Sequence, residues 1–472
     1  MGTISDKLMR IINTKEDIRQ ALISKGYDVP TSIPFKEYAK MISDLPCRVD
    51  SFPDIEGIVA RYSALGLTNE QMAANPVWVD KTGNGHDLQM KNFAWKEGSG
   101  ISDIYPGALV FDGVDDWAGC DNLPLLPKEK GYSIIALRNW ITRYDATQYK
   151  RPLISNLDTN DEGAFLIEYR KDENVNDVTG SYNSFTDVYI DDNNPITWQT
   201  SSSYNGQIIK KGTSKSTNKL CICKTYFGQL SNYANAAIWE LIILDHDATE
   251  EELTKIKDYF VKTYPWLFPD QAWTVTGKTN EDEDRATIAN ITGNSNDLVL
   301  SNFGFVEGSG YNEEGEYAGY LVTDGVDDKV VSAESIAFTD TWTIITDTVF
   351  LGKVSVASGI LASNIFTVYN YQGSGTIAVT MGEGGSSLRV ITSSIKAFSS
   401  DGTIYDAEWN EYHVEIGTIR ALERLLKIGT SSNETSYFCQ LAFKFLGIYN
   451  NQILSKDDCI KAYNYLQTLK AK

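Results

Sequence analysis

From Phe52 onward the apolar residues fall in short runs separated by Gly, Asn and Asp, as at 108–111, 132–137, 164–169, 219–223 and 237–244. Runs of this length between turn formers predict strands, and many in succession predict a sandwich or jelly roll. A helix closes the series. Thr249 with Glu252 makes a capping box, Leu253, Ile256 and Phe260 share one face, and Pro265 stops the helix. The same ending recurs near the C-terminus. A strand at 441–449 matches 237–244, and Ser455 with Asp458 caps a helix striped with Cys459, Ala462, Leu466 and Leu469. The first 45 residues have a different texture. Ile4, Leu8 and Ile11, then Ile18, Ala21 and Leu22, then Phe35, Tyr38 and Ile42 keep helical spacing and predict three short helices. Thr14 and Asp17 form a cap, Gly26 suits a C′ position, Pro34 opens the third helix and Pro46 closes it.

The strand pattern is duplicated. TGNGHDLQMKNFAWKEGSG at 82–100 returns as TGNSNDLVLSNFGFVEGSG at 292–310, with eleven of nineteen positions identical at an offset of 210. DGVDD at 112–116 returns at 324–328. Solenoid repeats run to about 20–50 residues, so this period means a duplicated domain of roughly two hundred residues. The expected organisation is a helical module at 1–46 and two β domains at 47–269 and 270–472, closely spaced.

Two resemblances follow from these residues. Lys7, Leu8, Ile11, Lys15, Ile18, Ala21, Lys25, Gly26, Val29, Pro34, Phe35, Tyr38 and Ile42 form a pattern that resembles a helical module of structural and tail proteins of tailed bacteriophages. An ordinary helical cap on the first β domain is the alternative. The FDGVDD front motif, the last apolar strand and the capped terminal helix make both β copies similar to concanavalin A-like and laminin-G-like jelly rolls. The expected fold class is therefore mainly β: a short N-terminal helical segment, then two tandem concanavalin A-like β-sandwiches.

Composition narrows the function. A formal charge of −21 and a pI near 4.6 repel phosphate backbones and anionic headgroups, so no nucleic-acid partner is expected. The N-terminus lacks an apolar h-region and no run of 18 apolar residues occurs, so neither a signal peptide nor a membrane span is expected. The six cysteines do not repeat between the copies, which argues against a disulfide framework. Cys221 and Cys223 form a C-x-C in a strand-like segment, which predicts both side chains on one sheet face. Plain packing is the expected role, since no second pair has zinc spacing.

The candidate chemistry is sparse. Asp112, Asp115 and Asp116, repeated as Asp324, Asp327 and Asp328, offer hard oxygens for calcium, as in some members of the resembled superfamily. Asp-Gly is also a strong turn signal that needs no metal. No cofactor is required, with calcium as the single candidate. Trp95 and Trp117 stand where the second copy has Phe305 and Lys329; a sugar-stacking role competes with packing. The enzymatic branches of the superfamily carry E-x-D-x-x-E on one strand, which this chain lacks, so no enzyme is expected. His86, His246 and His413 lie far apart, and no nucleophile elbow or phosphate loop occurs.

Taken together, the resemblances imply a structural virion protein of a tailed phage, a fibre or decoration protein such as those of crAss-like phages, made in the host cytoplasm. Leu8, Ile11, Ile18, Leu22, Phe35, Tyr38 and Ile42 would dock on other virion proteins. The lectin-like domains would meet host-surface or mucosal glycans. The surplus apolar surface of the helices implies a homo-oligomer, a trimer first and a dimer second. The alternatives are a glycoside hydrolase or depolymerase on the same fold, and a cellular carbohydrate-binding adhesin.

Overall fold

The computed structural model describes residues 52–471 apart from 127–131, 143–149, 159–165, 171–183, 187–195, 201–216, 226, 229–231, 353–357, 364–365, 371–376, 382–386, 391, 393, 418–422 and 431–437; before residue 52 it describes Lys15 and Arg19, both helical. The predicted helices and the stripe of Leu8, Ile11, Ile18, Leu22, Phe35, Tyr38 and Ile42 lie outside the described residues. Met1–Asp54 and Ile55–Lys472 are separate compact units.

The second unit is mainly β, two tandem sandwiches whose strands pair antiparallel except at one edge, where Ser184–Thr186 runs parallel to Leu166–Arg170. In the first, one sheet runs in the order Ile196–Thr200, Ser133–Thr142, Asn235–Leu244, Leu109–Asp112, Gly100–Ile101, with Ile58–Ser63 also on Asn235–Leu244. The facing sheet runs Ser184–Thr186, Leu166–Arg170, Lys150–Ser155, Leu220–Ile222, Trp117–Cys120, Leu88–Lys91, Val77–Trp78. The second sandwich repeats this plan around Leu441–Asn450, which takes Gln271–Thr274, Tyr320–Val322 and Trp342–Phe350 as neighbours.

Side-chain alternation builds the cores. In Leu88–Lys91 the first and third residues are buried and the second and fourth exposed, the period of two that a half-buried strand requires. Leu88, Met90, Ala118 and Cys120 from one sheet meet Leu109, Phe111, Ile134 and Ile243 from the other in one cluster. A second cluster joins Trp273, Leu321, Ile344 and Leu446 to Leu298, Val330, Leu361 and Val379.

Asn235–Leu244 and Leu441–Asn450 are buried nearly throughout, which explains their continuous apolar runs: one face meets the core and the other lies under helices. Helix α1 (Asn69–Ala74), capped by Thr68, has no counterpart among the sequence expectations. Helix α2 (Glu250–Thr263) carries the predicted Thr249–Glu252 capping box and buries Ile256, Tyr259 and Phe260. Helix α3 (Lys456–Thr468) is capped by Ser455 and buries Cys459, Ala462, Tyr465 and Leu466.

Beneath α2 lies a buried ion pair, Arg61 Nε to Glu240 Oε2 at 3.3 Å. Tyr259 and Tyr264 hydroxyls donate to Glu240 Oε1 at 2.9 and 2.8 Å, and Arg61 Nη2 donates to the Tyr259 hydroxyl at 2.8 Å. Strand register equates Ser63 opposite Glu240 with Thr274 opposite Phe445. The second copy thus has Ala272 and Phe445 where the first has Arg61 and Glu240.

The sandwiches meet through the helical layer. Trp239 of the first packs edge-on against Tyr465 of α3 at 6.3 Å, the Tyr449 hydroxyl donates to the Trp266 carbonyl at 3.0 Å, and Asn464 Nδ2 donates to the Asp103 carbonyl at 3.2 Å.

The C-x-C expectation requires correction. Cys223, beyond the strand end, belongs to the core cluster with Leu220 and Ile222, whereas Cys221 does not. Alternation would place both on the outer face. The left-handed backbone of Cys223, at φ 57°, breaks that alternation and turns its thiol inward. All five described cysteines are free.

Candidate functional site

The outer face of the first sandwich's seven-stranded sheet carries the aromatic platform. Ala118 and Cys120 point into the core, so their neighbours Trp117 and Gly119 face outward. A Cβ at Gly119 would lie 2.8 Å from Trp117 Cζ3, 3.2 Å from Phe227 Cε2 and 2.6 Å from the Leu220 carbonyl oxygen. The bare glycine is therefore what lets the two rings lie down against the sheet. They meet edge to face, with centroids 5.7 Å apart, a favourable pairing. Both remain half-buried, with open surface toward solvent. Exposed Gln89 and Lys91, paired with Gly119 and Trp117 across the sheet, supply polar groups at the rim.

Two lysines complete it. Lys224 Nζ stands 4.0 Å over the Trp117 ring and 3.4 Å from the Phe227 carbonyl, while Lys219 Nζ stands 5.0 Å over the Phe227 ring. Lys224 is buried, 6% exposed, and burial holds its ammonium below the usual lysine range. Among the described residues none of this survives in the second copy. Register equates Trp117 with Lys329 and Gly119 with Val331. The shared backbone bonds of Cys223 to Leu153 and Ala234, and of Gly429 to Ile360 and Cys439, equate Cys223 with Gly429 and Lys224 with Thr430. Of this group, sequence reasoning singled out Trp117 alone. Gly119 lies two residues along the same strand, but Lys224 and Phe227 come from another segment, and no local signal links them to it.

Trp95 lies elsewhere. Its ring stacks on Phe93 at 4.9 Å, Phe93 meets Phe111 of the core, and Phe305 takes the same left-handed backbone in the second copy. A further aromatic group sits on the second sandwich, where Trp409, Tyr463 and Tyr320 surround Lys396 and Asp347. There the polar groups are matched internally: the Tyr320 hydroxyl donates to Asp347 Oδ2 at 2.9 Å, and Lys396 lies over Trp409 and Tyr463 at 5.2 and 4.8 Å.

The structure does bring together Asp112, Asp115 and Asp116, and likewise Asp324, Asp327 and Asp328, with one oxygen of each within 4.8 Å of the others. Their hydrogen bonds are those of a turn. Asp112 Oδ1 accepts the backbone N–H of residues 114, 115 and 116, and Asp116 Oδ2 accepts that of Asp112; Asp324 and Asp328 repeat the arrangement. Gly113 and Gly325 turn the chain at φ 76° and 75°. Calcium takes six to eight oxygens. Asp112 Oδ1, Asp116 Oδ2, Asp324 Oδ1 and Asp328 Oδ2 are committed to backbone donors, which makes each cluster a turn, while the buried Asp116 Oδ1 and Asp328 Oδ1 have no hydrogen-bond partner. Burial pushes the Asp116 and Asp328 carboxyls up to about 6.

The histidines form no cluster. His246 bridges Asp245 and Glu252 at the start of α2, and His413 is exposed beside Glu411.

No family model and no curated protein matches the sequence. Solved structures do. A Trypanosoma rangeli sialidase in complex with 2,3-difluoro-KDN aligns at 10% identity over 49% of this chain and 41% of its own, with a TM-score of 0.31. The binding domain of botulinum neurotoxin DC in complex with SialylT aligns at 10% identity over 82% of this chain and 98% of its own, with a TM-score of 0.29. The chain thus spans about two fifths of the sialidase's length. Sialidases are among these matches, and the expectation that the chain is no enzyme is withdrawn.

Proposed function

We propose that the chain is a carbohydrate-binding protein, and that the first sandwich makes the contact through Trp117 and Phe227. The observation that carries this reading is the pair of half-buried rings laid over Gly119, with polar side chains at their rim. Sugars present apolar C–H faces edged by hydroxyls, and an aromatic surface beside a few polar groups complements both. Electrophoresis of the full chain through gels containing polysaccharides tests it. The expected result is retardation by at least one polysaccharide, relieved in Trp117→Ala and retained in Trp95→Ala. Unchanged mobility across a panel of neutral and acidic polysaccharides would refute the reading. Sizing the polysaccharide after incubation separates retention from cleavage.

The helical module is proposed to anchor the chain to a tailed-phage particle, made in the host cytoplasm, as a trimer first and a dimer second. The pattern from Lys7 to Ile42 supports it. Light scattering of the full chain and of a chain lacking residues 1–46 is the check. An oligomer that becomes a monomer on deletion agrees, and a full chain already monomeric at micromolar concentration refutes the anchor as an assembly element.

A further inference from the structure

We infer that the Trp117 platform selects carboxylate-bearing sugars, with Lys224 as the residue that holds the carboxylate; this rests on the carbohydrate reading above. A charged ammonium is rarely buried without a counter-charge, because its lost hydration must be replaced. Lys224 is 6% exposed, and among the described residues no carboxylate pairs with it. Among the described residues its ammonium meets the Trp117 ring at 4.0 Å and makes one long hydrogen bond to the Phe227 carbonyl at 3.4 Å. These are weak replacements for water, so the site retains capacity for an anion. Lys219 adds a second positive charge beside the same rings; its own ion pair with Asp121, at 3.9 Å, is long and lies toward solvent.

The backbone supports a built site. Cys223, next to Lys224, adopts φ 57° where the second copy uses Gly429 at φ 79°. A non-glycine residue pays strain in that region, and such outliers concentrate where the chain must aim a side chain. Here the aimed residue is Lys224. Its counterpart in the second copy, Thr430, has no tryptophan beneath it, since Lys329 stands where the first copy has Trp117. The copies share a fold, so the lysine over the ring is not needed to make a sandwich. A neutral sugar could use the rings alone; a carboxylate also uses the cation beside them. The remainder of the chain, at −21, repels anions in general, which makes a local cation the element that discriminates.

The test compares oligomers of glucuronic acid with oligomers of glucose of the same linkage and length, titrated calorimetrically into the full chain. One charge-assisted hydrogen bond predicts a preference of roughly tenfold or more for the acidic series. Lys224→Met should abolish the preference, and Lys224→Arg, which keeps the charge, should preserve part of it. Melting curves establish that each variant is folded, and the wild-type comparison stands without any variant. Equal binding of the two series would overturn the inference and leave the carbohydrate reading intact. A preference for the acidic series untouched by Lys224→Met would overturn the assignment to this lysine. Absence of binding by both series would overturn the inference, and absence of binding across the panel of polysaccharides as well would overturn the carbohydrate reading with it.

Discussion

Asp116 and Asp328 sit at equivalent positions, fully buried, and burial raises both carboxyls to about 6, above the unfolded value of about 3.9. The folded state therefore binds their protons more tightly than the unfolded state does. Their stabilising contribution is complete below about pH 4 and is lost as pH rises through about 6. Asp116→Asn and Asp328→Asn should each remove that loss, raising stability at pH 8 by about 1–2 kcal/mol and flattening the melting temperature between pH 4 and 7. Melts across that range would refute the account if the variants keep the wild-type slope. Gly119 gives a second expectation at this scale. Its missing Cβ would meet the Leu220 carbonyl at 2.6 Å, so Gly119→Ala should cost about 1–3 kcal/mol in denaturant unfolding; a neutral result would mean that the sheet has slack there. The Asp-Gly turns were legible in the sequence because their geometry is local. The platform was not, because Lys224 and Phe227 reach Trp117 and Gly119 only through the pairing of Trp117–Cys120 with Leu220–Ile222.

Secondary structure followed its local rules closely. The Thr249–Glu252 capping box, the Ser455 cap, the apolar stripes of α2 and α3 and the duplicated strands appear where periodicity and turn residues predict them. Strand ends moved by one to five residues: the 132–137 run extends to Ser133–Thr142, since pairing along Asn235–Leu244 sets its length. The Arg61–Glu240 pair could not be read, because its partners come from opposite ends of the first copy. Breaking a buried pair by removing one member costs about 3–5 kcal/mol, whereas apolar replacement of both is often neutral. The second copy, with Ala272 and Phe445 at these positions, is a natural instance of the replacement. Arg61→Met and Glu240→Met alone should each destabilise by about that amount, and the double variant should lose less than either. Additive losses in denaturant unfolding would contradict this.

The two sandwiches share a helical layer in which Trp239, Trp266, Tyr449 and Tyr465 are buried. Ile55–Lys472 should therefore melt in one cooperative transition, and Trp239→Ala, which empties the contact with Tyr465, should lower it by about 3–5 kcal/mol. Two resolved calorimetric transitions in the wild type would show the sandwiches to be energetically independent. The duplication was readable as repeated words, but the join was not, since its residues lie on faces that a single sandwich leaves outside. The two copies differ in one respect that matters here: they share a fold, and among the described residues only the first has the Trp117–Phe227 pair over a glycine. A glycan microarray probed with the wild-type chain and with Trp117→Ala measures that directly. The account predicts a defined set of bound glycans for the wild type and its loss in the variant at unchanged melting temperature. An identical binding pattern for both proteins, or no bound glycan for either, would contradict it.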